Sequence, residues 1–188
     1  MTISSRHDLE QLDREDPLAA FRDEFFLPDG MVYLNGNSLG AMPNKAVQRV
    51  RQVVEKEWGT GLISSMNEAG WFDLPLTLGR KIAPLVGAGD NEVVITDSTG
   101  IDLYKVLAAA LQIQPQRRVI VMEGSNFPTN NYMVQGLLAQ LGDGYTIRFT
   151  EASDIMNAID KDVAAICLTH VHYKTGNILD MDALTKSA

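Results

Sequence analysis

A strand-to-helix junction carries the first residues able to bind an anion. Val94-Ile95-Thr96 predicts the end of a short strand, Asp97-Ser98-Thr99 is small and polar, and a helix is predicted from Gly100. The first N–H groups of a helix lack intrahelical partners, and the helix dipole is positive there. Small side chains let a phosphate approach these groups. The alternative is simple capping of the helix by Ser98 or Thr99, which this stretch alone favours.

A second candidate follows the next predicted strand, Arg117–Met122. It is the segment Asn126-Phe127-Pro128-Thr129-Asn130, which leads into a predicted helix over Pro128–Leu141. In an open α/β sheet, ligands bind beyond the carboxyl ends of the strands, and an aromatic side chain there can lie on a heteroaromatic ring. In isolation, the segment favours an ordinary aromatic staple at a helix start.

Two further stretches are less specific. Asn35–Gly40, with two Gly and two Asn in six residues, predicts a tight turn with positive φ angles, and Ser38 is its candidate ligand group. His170 and His172 at the end of the last predicted strand would point to one face. Because the nearest carboxylate in sequence, Asp180, is eight residues from His172, no metal site is predicted.

Alternating strands and helices position these groups in the second half of the chain. Near-continuous apolar runs predict strands buried on both faces, and right-handed crossovers then give a mainly parallel sheet. The fold class is therefore α/β, with an N-terminal helical segment in front. The predicted strands are 92–96, 117–122, 145–149 and 163–169, and the predicted helices between them are 100–111, 128–141 and 152–159.

The first 90 residues predict a different organisation. Helices are expected over 8–25, 45–58 and 74–85, with a short strand at 31–34. The domain prediction is an N-terminal helical segment with a substrate-side loop over 1–90, and an incomplete α/β cofactor-binding domain over 91–188. A helical pattern from Asp180 runs to the last residue without a Gly or Pro stop, which we interpret as a truncated domain.

Composition limits the classes of partner. The 188 residues are 45% hydrophobic and carry a formal net charge of −8, without a Lys/Arg run. Such a chain is a poor ligand for nucleic acid or an anionic membrane. The single cysteine, Cys167, lies in an apolar run and predicts a buried thiol in a reducing compartment. We expect a cytoplasmic protein without a signal sequence or membrane span.

Six short motifs, in order, carry a family resemblance that covers essentially the whole chain. The chain resembles the N-terminal half of bacterial kynureninases, and the combination of the first and fifth motifs is specific. The motifs are YLNGNSLG at 33–40, EWGTGLI at 57–63, GW at 70–71, DST at 97–99, NFPT at 126–129 and LTHV…Y.TG between 168 and 176.

This resemblance implies a partial large domain of the aspartate-aminotransferase fold, fold type I of the pyridoxal-phosphate enzymes. Kynureninases are homodimers that use pyridoxal 5'-phosphate to hydrolyse kynurenine to anthranilate and alanine, in tryptophan degradation. The resemblance implies that Thr99 and Gly100 bind the cofactor phosphate and that Phe127 stacks on the cofactor ring. It further implies cofactor binding by Pro128, Thr129, Asn130 and Thr169, and a substrate-pocket role for Ser38.

The family's Schiff-base lysine, ring-nitrogen aspartate and nearby histidine fall C-terminal to residue 188, so no catalytic residue is assigned. None of the seven lysines matches the family position. The chain also departs from the family pattern near the expected site. Where the family has Asp, a hydroxyl residue, Asn and Asn, this chain has Asn130, Gly100, Asp102 and His172; where it has Arg and Trp, this chain has Ser64 and Met66.

Three functions stay open on sequence alone. The first is a kynureninase-type hydrolase fragment, inactive alone and active with a complementing C-terminal half. The second is a non-catalytic truncated relative that dimerises or binds a partner, which the departures favour. The third is an unrelated nucleotide-binding module, for which no glycine fingerprint exists.

Overall fold

The computed structural model describes residues 5–142 and 144–188, in two compact units. The first unit is Met1–Val94 and the second is Ile95–Ala188. The domain boundary predicted at residues 90 and 91 stays a prediction. No helix among the described residues combines the length and apolar character needed to cross a bilayer.

The first unit is mainly helical. Its first helix is capped reciprocally, because the Ser5 hydroxyl accepts from the Asp8 N–H and the Asp8 carboxylate accepts from the Ser5 N–H. Phe25–Phe26 (β1) and Met42–Pro43 (β2) form a short antiparallel pair. The helices are α1 (Arg6–Glu15), α2 (Asn44–Gln52), α3 (Ser65–Glu68) and α4 (Leu74–Val86), with 3₁₀ turns at Ala19–Glu24 and Leu62–Ser64 and a π-helical turn at Val53–Trp58.

The EWGTGLI and GW segments are joined by a hydrogen bond between Glu57 and Trp71. The Glu57 carboxylate accepts from Arg49 Nη1 at 2.5 Å and from Trp71 Nε1 at 2.7 Å, and the Arg49 bond lowers the pKa of Glu57. A Cβ on Gly61 would lie 2.6 Å from the Glu57 carbonyl oxygen, so only glycine fits this close approach to the backbone. These motif residues therefore have structural roles within the first unit.

The second unit is an α/β unit built on a parallel sheet of order β4-β3-β5. This confirms the α/β class and the parallel sheet. The elements are α5 (Thr99–Ile113), β3 (Val119–Glu123), α6 (Pro128–Leu141), β4 (Thr146–Thr150), 3₁₀ turns at Ala152–Asp154 and Met156–Ala158, β5 (Val163–Cys167) and α7 (Met181–Ser187).

One hydrophobic core joins α5 and α6 to this sheet. The predicted burial of Cys167 is confirmed, and burial raises the pKa of its thiol. Removal of the apolar core side chains of α5, α6 and the strands from water is the main force that fixes α5 beside α6. The core consists of Leu107 and Leu111 from α5, Val134, Leu137 and Leu138 from α6, and Ile120, Met122 and Cys167 from the strands.

Several element predictions are wrong. Residues 31–34 and 92–96 are not strands, and the predicted helix over 8–25 stops at Glu15, because Pro17 disfavours helical backbone in the residue before it. A strand needs a hydrogen-bonded neighbour, whereas the Val93 carbonyl packs closely against Gly79 of α4. The predicted helix at 152–159 is two 3₁₀ turns.

Candidate functional site

The carboxyl ends of β3 and β5 open onto one edge of the sheet. Parallel pairing of the two strands brings the segment after Glu123 and the segment after Cys167 together. Helix α6 begins at Pro128, only five residues beyond the end of β3. The candidate cofactor residues of the second unit are therefore drawn from adjacent loop and helix ends.

The start of α5 packs against the first turns of α6. A Cβ on Gly100 would lie 3.5 Å from Thr129 Cγ2 and 3.5 Å from Met133 Cγ. Ser98 is the N-cap residue but its side chain makes no capping hydrogen bond, so the capping interpretation of this junction is wrong for Ser98. Thr99 is exposed as the first helical residue. The N-terminal N–H groups of α5 thus remain suited to an anion.

Phe127 presents an exposed ring at the start of α6. It is the N-cap residue, with φ −55° and ψ 129°, and 47% of its surface is exposed. Its ring centroid lies 5.0 Å from that of Tyr173, at an interplanar angle of 72°. This edge-to-face contact supports the ring from one side and suits Phe127 to stacking on a flat ligand.

Asn126 connects three of the predicted site residues. Its Oδ1 accepts from Phe127 N at 2.7 Å, from Thr169 Oγ1 at 2.7 Å and from Asn130 Nδ2 at 3.1 Å. Asn126 is 4% exposed, and among the described atoms its Nδ2 has no partner. The sequence analysis named Asn126 only as the first residue of the candidate segment 126–130 and gave it no role of its own. Its place between a predicted strand and an aromatic residue is the sequence signal for such a role.

His172 ties together the loops that follow β3 and β5. Its Nε2 lies 3.1 Å from the Ser125 carbonyl, and its Nδ1 accepts from the N–H groups of Lys174 and Thr175 at 3.3 Å. This pattern places the ring proton on Nε2. His170 is exposed while His172 is buried, so the prediction that they share a face is wrong: β5 ends at Cys167 and strand alternation stops there.

The Asp97 carboxylate beside the α5 terminus is paired with Lys105, and a second carboxylate, Asp102, lies in the first turn of α5. Lys105 Nζ donates to the Asp97 carboxylate, and this bond lowers the pKa of Asp97 and raises the pKa of Lys105. A free carboxylate at this place would repel a phosphate. The ion pair therefore reduces the repulsion that Asp97 would exert on an anion at the junction.

Ser38 lies in the first unit, in an exposed turn. Its Oγ donates to Asn35 Oδ1 at 2.8 Å, and its N–H donates to the Asn35 carbonyl at 3.1 Å. The predicted turn is present, but neither Gly36 nor Gly40 has a positive φ, so that part of the prediction is wrong. The side-chain bond closes the turn without left-handed backbone. The substrate-pocket role of Ser38 stays a prediction.

The second unit's residues fit a phosphorylated aromatic ring. The uncapped α5 terminus offers N–H donors, Phe127 offers a ring face, and Thr169 offers a half-buried hydroxyl. Asn130 offers a half-buried neutral amide that donates to Asn126. Within the described part of the chain, no group of three His, Cys, Asp or Glu side chains could hold a metal ion.

Comparison with known proteins gives one consistent family among sequence relatives. No family model matches the chain. A kynureninase of Pseudomonas fluorescens is 52% identical over 188 residues, which is 97% of this chain and 45% of the relative. A kynureninase of Burkholderia mallei (strain SAVP1) is 50% identical over 190 residues, 98% of this chain and 46% of the relative. The chain thus spans a little under half the length of the curated relatives it matches.

Solved structures show the same fold at low sequence identity. A C-DES lysine-to-alanine mutant with glycine covalently linked to its PLP cofactor has a TM-score of 0.69 and 17% identity, covering 98% of this chain and 46% of that one. A NifS-like protein has a TM-score of 0.59 and 12% identity, covering 77% and 41%. The chain therefore has a partial pyridoxal-phosphate-enzyme fold, as predicted.

Replacing Gly100 by Ala is expected to raise the free energy of unfolding by about 0.5–1 kcal/mol, because alanine lowers the entropy of the unfolded chain and its Cβ meets ordinary contacts. Urea unfolding of the chain measures this. The matched control is Gly79→Ala in α4, where a Cβ would lie 2.0 Å from the Val93 carbonyl oxygen. That variant should lose roughly 1–3 kcal/mol. Equal destabilisation by both variants would contradict the packing described at the α5 terminus.

The Asp97–Lys105 pair predicts a pH-dependent contribution to stability. Because the folded-state pKa of Asp97 is lowered from its usual 3.8, its contribution is present above that value and is lost as the pH falls through the folded-state pKa. Wild type should exceed Asp97→Asn in stability near neutral pH and converge with it on acidification. Urea unfolding at a series of pH values at low salt measures the difference. Lys105→Met should abolish most of this difference, and a difference that grew towards acid would refute the pairing.

Proposed function

Because the chain is similar over nearly its whole length to the N-terminal half of kynureninases, we propose that it supplies cofactor-binding elements of a kynureninase-type hydrolase. The reaction of that enzyme is hydrolysis of L-kynurenine to anthranilate and L-alanine. Pyridoxal 5'-phosphate, when bound, supplies the electron sink for cleavage of the carbon–carbon bond. The proposed part of this chain's own residues is to bind the cofactor and to orient its ring.

The observation that carries the proposal is the approach of two helix starts at one sheet edge. Gly100 of α5 faces Thr129 of α6, and the exposed Phe127 ring begins α6. In the proposed complex, the N–H groups of Thr99 and Gly100 donate to the phosphate and Phe127 packs on the ring. Pro128 and Thr129 fix the first turn of α6.

Two polar side chains complete the proposed ring contacts. Thr169 keeps lone pairs available while its hydroxyl proton is donated to Asn126. Asn130 places an amide, without charge, near the ring edge. For Ser38, in the exposed turn of the first unit, the substrate-pocket role is a separate proposal that rests on the family resemblance.

We propose that the Schiff-base lysine is supplied by a further polypeptide segment, a complementing C-terminal half. Lys105 is paired with Asp97, and Lys174 Nζ lies 5.4 Å from the Tyr173 ring centroid. The surface of the first unit also supports a further polypeptide partner. It exposes many large apolar side chains, and contact with water does not favour such groups. Strongly exposed examples are Val32, Leu34, Leu39 and Ile63. They are suited to a second half or to the partner of a homodimer.

A second candidate function is a non-catalytic relative that dimerises or binds a partner. The neutral Asn130 favours it, since an amide cannot stabilise a protonated pyridine nitrogen as a carboxylate does. Gly100 adds no hydroxyl for the phosphate, and Ser64 and Met66 stand where the family has Arg and Trp. For either function, the lone buried Cys167 fits a reducing compartment such as the cytoplasm.

Binding of pyridoxal phosphate by the 188-residue chain tests the cofactor role. We expect saturable binding, measured by equilibrium dialysis and by induced circular dichroism, with competition by inorganic phosphate. Phe127→Ala should weaken binding about three- to tenfold through loss of the ring contact. Phe149→Ala is the matched control, because Phe149 is 48% exposed and Phe127 47%. Absence of binding, or equal loss in both variants, would count against the proposal.

Complementation separates the two candidate functions. Co-expression with the C-terminal remainder of the Pseudomonas fluorescens relative should give a complex that cleaves kynurenine. Borohydride reduction should then place the cofactor on a lysine of the added half and on none of the seven lysines of this chain. A folded complex that binds the cofactor without cleaving kynurenine favours the non-catalytic relative.

A further inference from the structure

We propose that Asn126 is the positioning residue of the cofactor site, holding Phe127, Asn130 and Thr169 on one buried oxygen atom. The inference deepens the proposed function and rests on it. Asn126 Oδ1 receives all three bonds within 2.7–3.1 Å, and the residue is 4% exposed. It joins the end of the β3 loop, the first turn of α6 and the segment after β5.

The donors determine which way the Asn126 amide faces. The backbone N–H of Phe127 can only donate, so the atom 2.7 Å from it must be the carbonyl oxygen and not the amide nitrogen. With Oδ1 fixed in this way, Thr169 and Asn130 must donate to the same atom. The hydroxyl of Thr169 and the amide of Asn130 are thereby oriented without contacting each other.

The free-energy cost of burying an unpaired amide nitrogen supports a positioning role for Asn126. Asn126 Nδ2 is buried without a partner among the described atoms, and buried polar groups are rarely left unpaired.

The variants separate loss of the oxygen atom from loss of the side chain. Asn126→Leu keeps the approximate size and removes Oδ1, whereas Asn126→Asp keeps an acceptor for all three donors. The matched control is Asn131→Leu in the first turns of α6, because Asn131 donates to the Gly124 carbonyl at 3.2 Å and is not bonded to Asn126. Each variant is made in the whole 188-residue chain.

Two measurements are made, and the first needs no cofactor. Amide hydrogen exchange of the ¹⁵N-labelled chain should show the Phe127 N–H exchanging roughly tenfold faster or more in Asn126→Leu, and near the wild-type rate in Asn126→Asp and Asn131→Leu. The dissociation constant for pyridoxal phosphate should rise about tenfold in Asn126→Leu and stay within about threefold in Asn131→Leu.

The outcomes distinguish this inference from the proposed function. Unchanged Phe127 exchange in Asn126→Leu overturns the inference, whether or not the cofactor binds. If Asn126→Leu does not fold, rapid Phe127 exchange in folded Asn126→Asp overturns it instead. A wild-type chain that binds no pyridoxal phosphate overturns the proposed function, and with it the cofactor role of Asn126. Cofactor affinity lost equally in Asn126→Leu and Asn131→Leu would also overturn that role.

Discussion

Packing of α5 against α6 over the parallel sheet is the constraint on which the candidate site depends. Leu107 and Leu111 of α5 are buried with Val134 and Leu137 of α6, and this apolar contact brings the starts of the two helices together. Helix starts expose N–H groups, and parallel strands expose their carboxyl ends at one edge. The start of α5 and the start of α6, where Phe127 lies, are therefore neighbours because the core packs the two helices together.

Polar contacts then fix the orientations of the candidate-site side chains that the core brings close together. The Asp97–Lys105 pair removes an unfavourable charge from the α5 terminus, and His172 holds the Ser125 carbonyl. Asn126 sets the directions of groups from two adjacent segments. In the first unit, Glu57 has the corresponding structural role. Its motif was informative as a family marker because a bonded carboxylate and a close backbone approach allow few substitutions.

The parallel sheet and both helix starts of the second unit could be predicted, since continuous apolar runs and the Pro128 start are local signals. The failures have a common cause. Residues 92–96 have strand composition, but pairing is decided by neighbours that composition does not describe. His170 and His172 are two residues apart, yet His170 is exposed and His172 is buried, because β5 ends at Cys167, before the end of the predicted strand. Asn126 lies in the predicted segment 126–130, but its individual role could not be predicted because it depends on Thr169, 43 positions away.

The central claim is that one phosphorylated ring binds between the α5 terminus and Phe127. Nuclear magnetic resonance of the ¹⁵N,¹³C-labelled chain with pyridoxal phosphate tests it most directly. The account predicts large shifts of the Thr99 and Gly100 amides, with intermolecular nuclear Overhauser effects between the cofactor's ring methyl group and the Phe127 ring. Shifts and contacts confined to other residues, with these three unchanged at saturation, would contradict it.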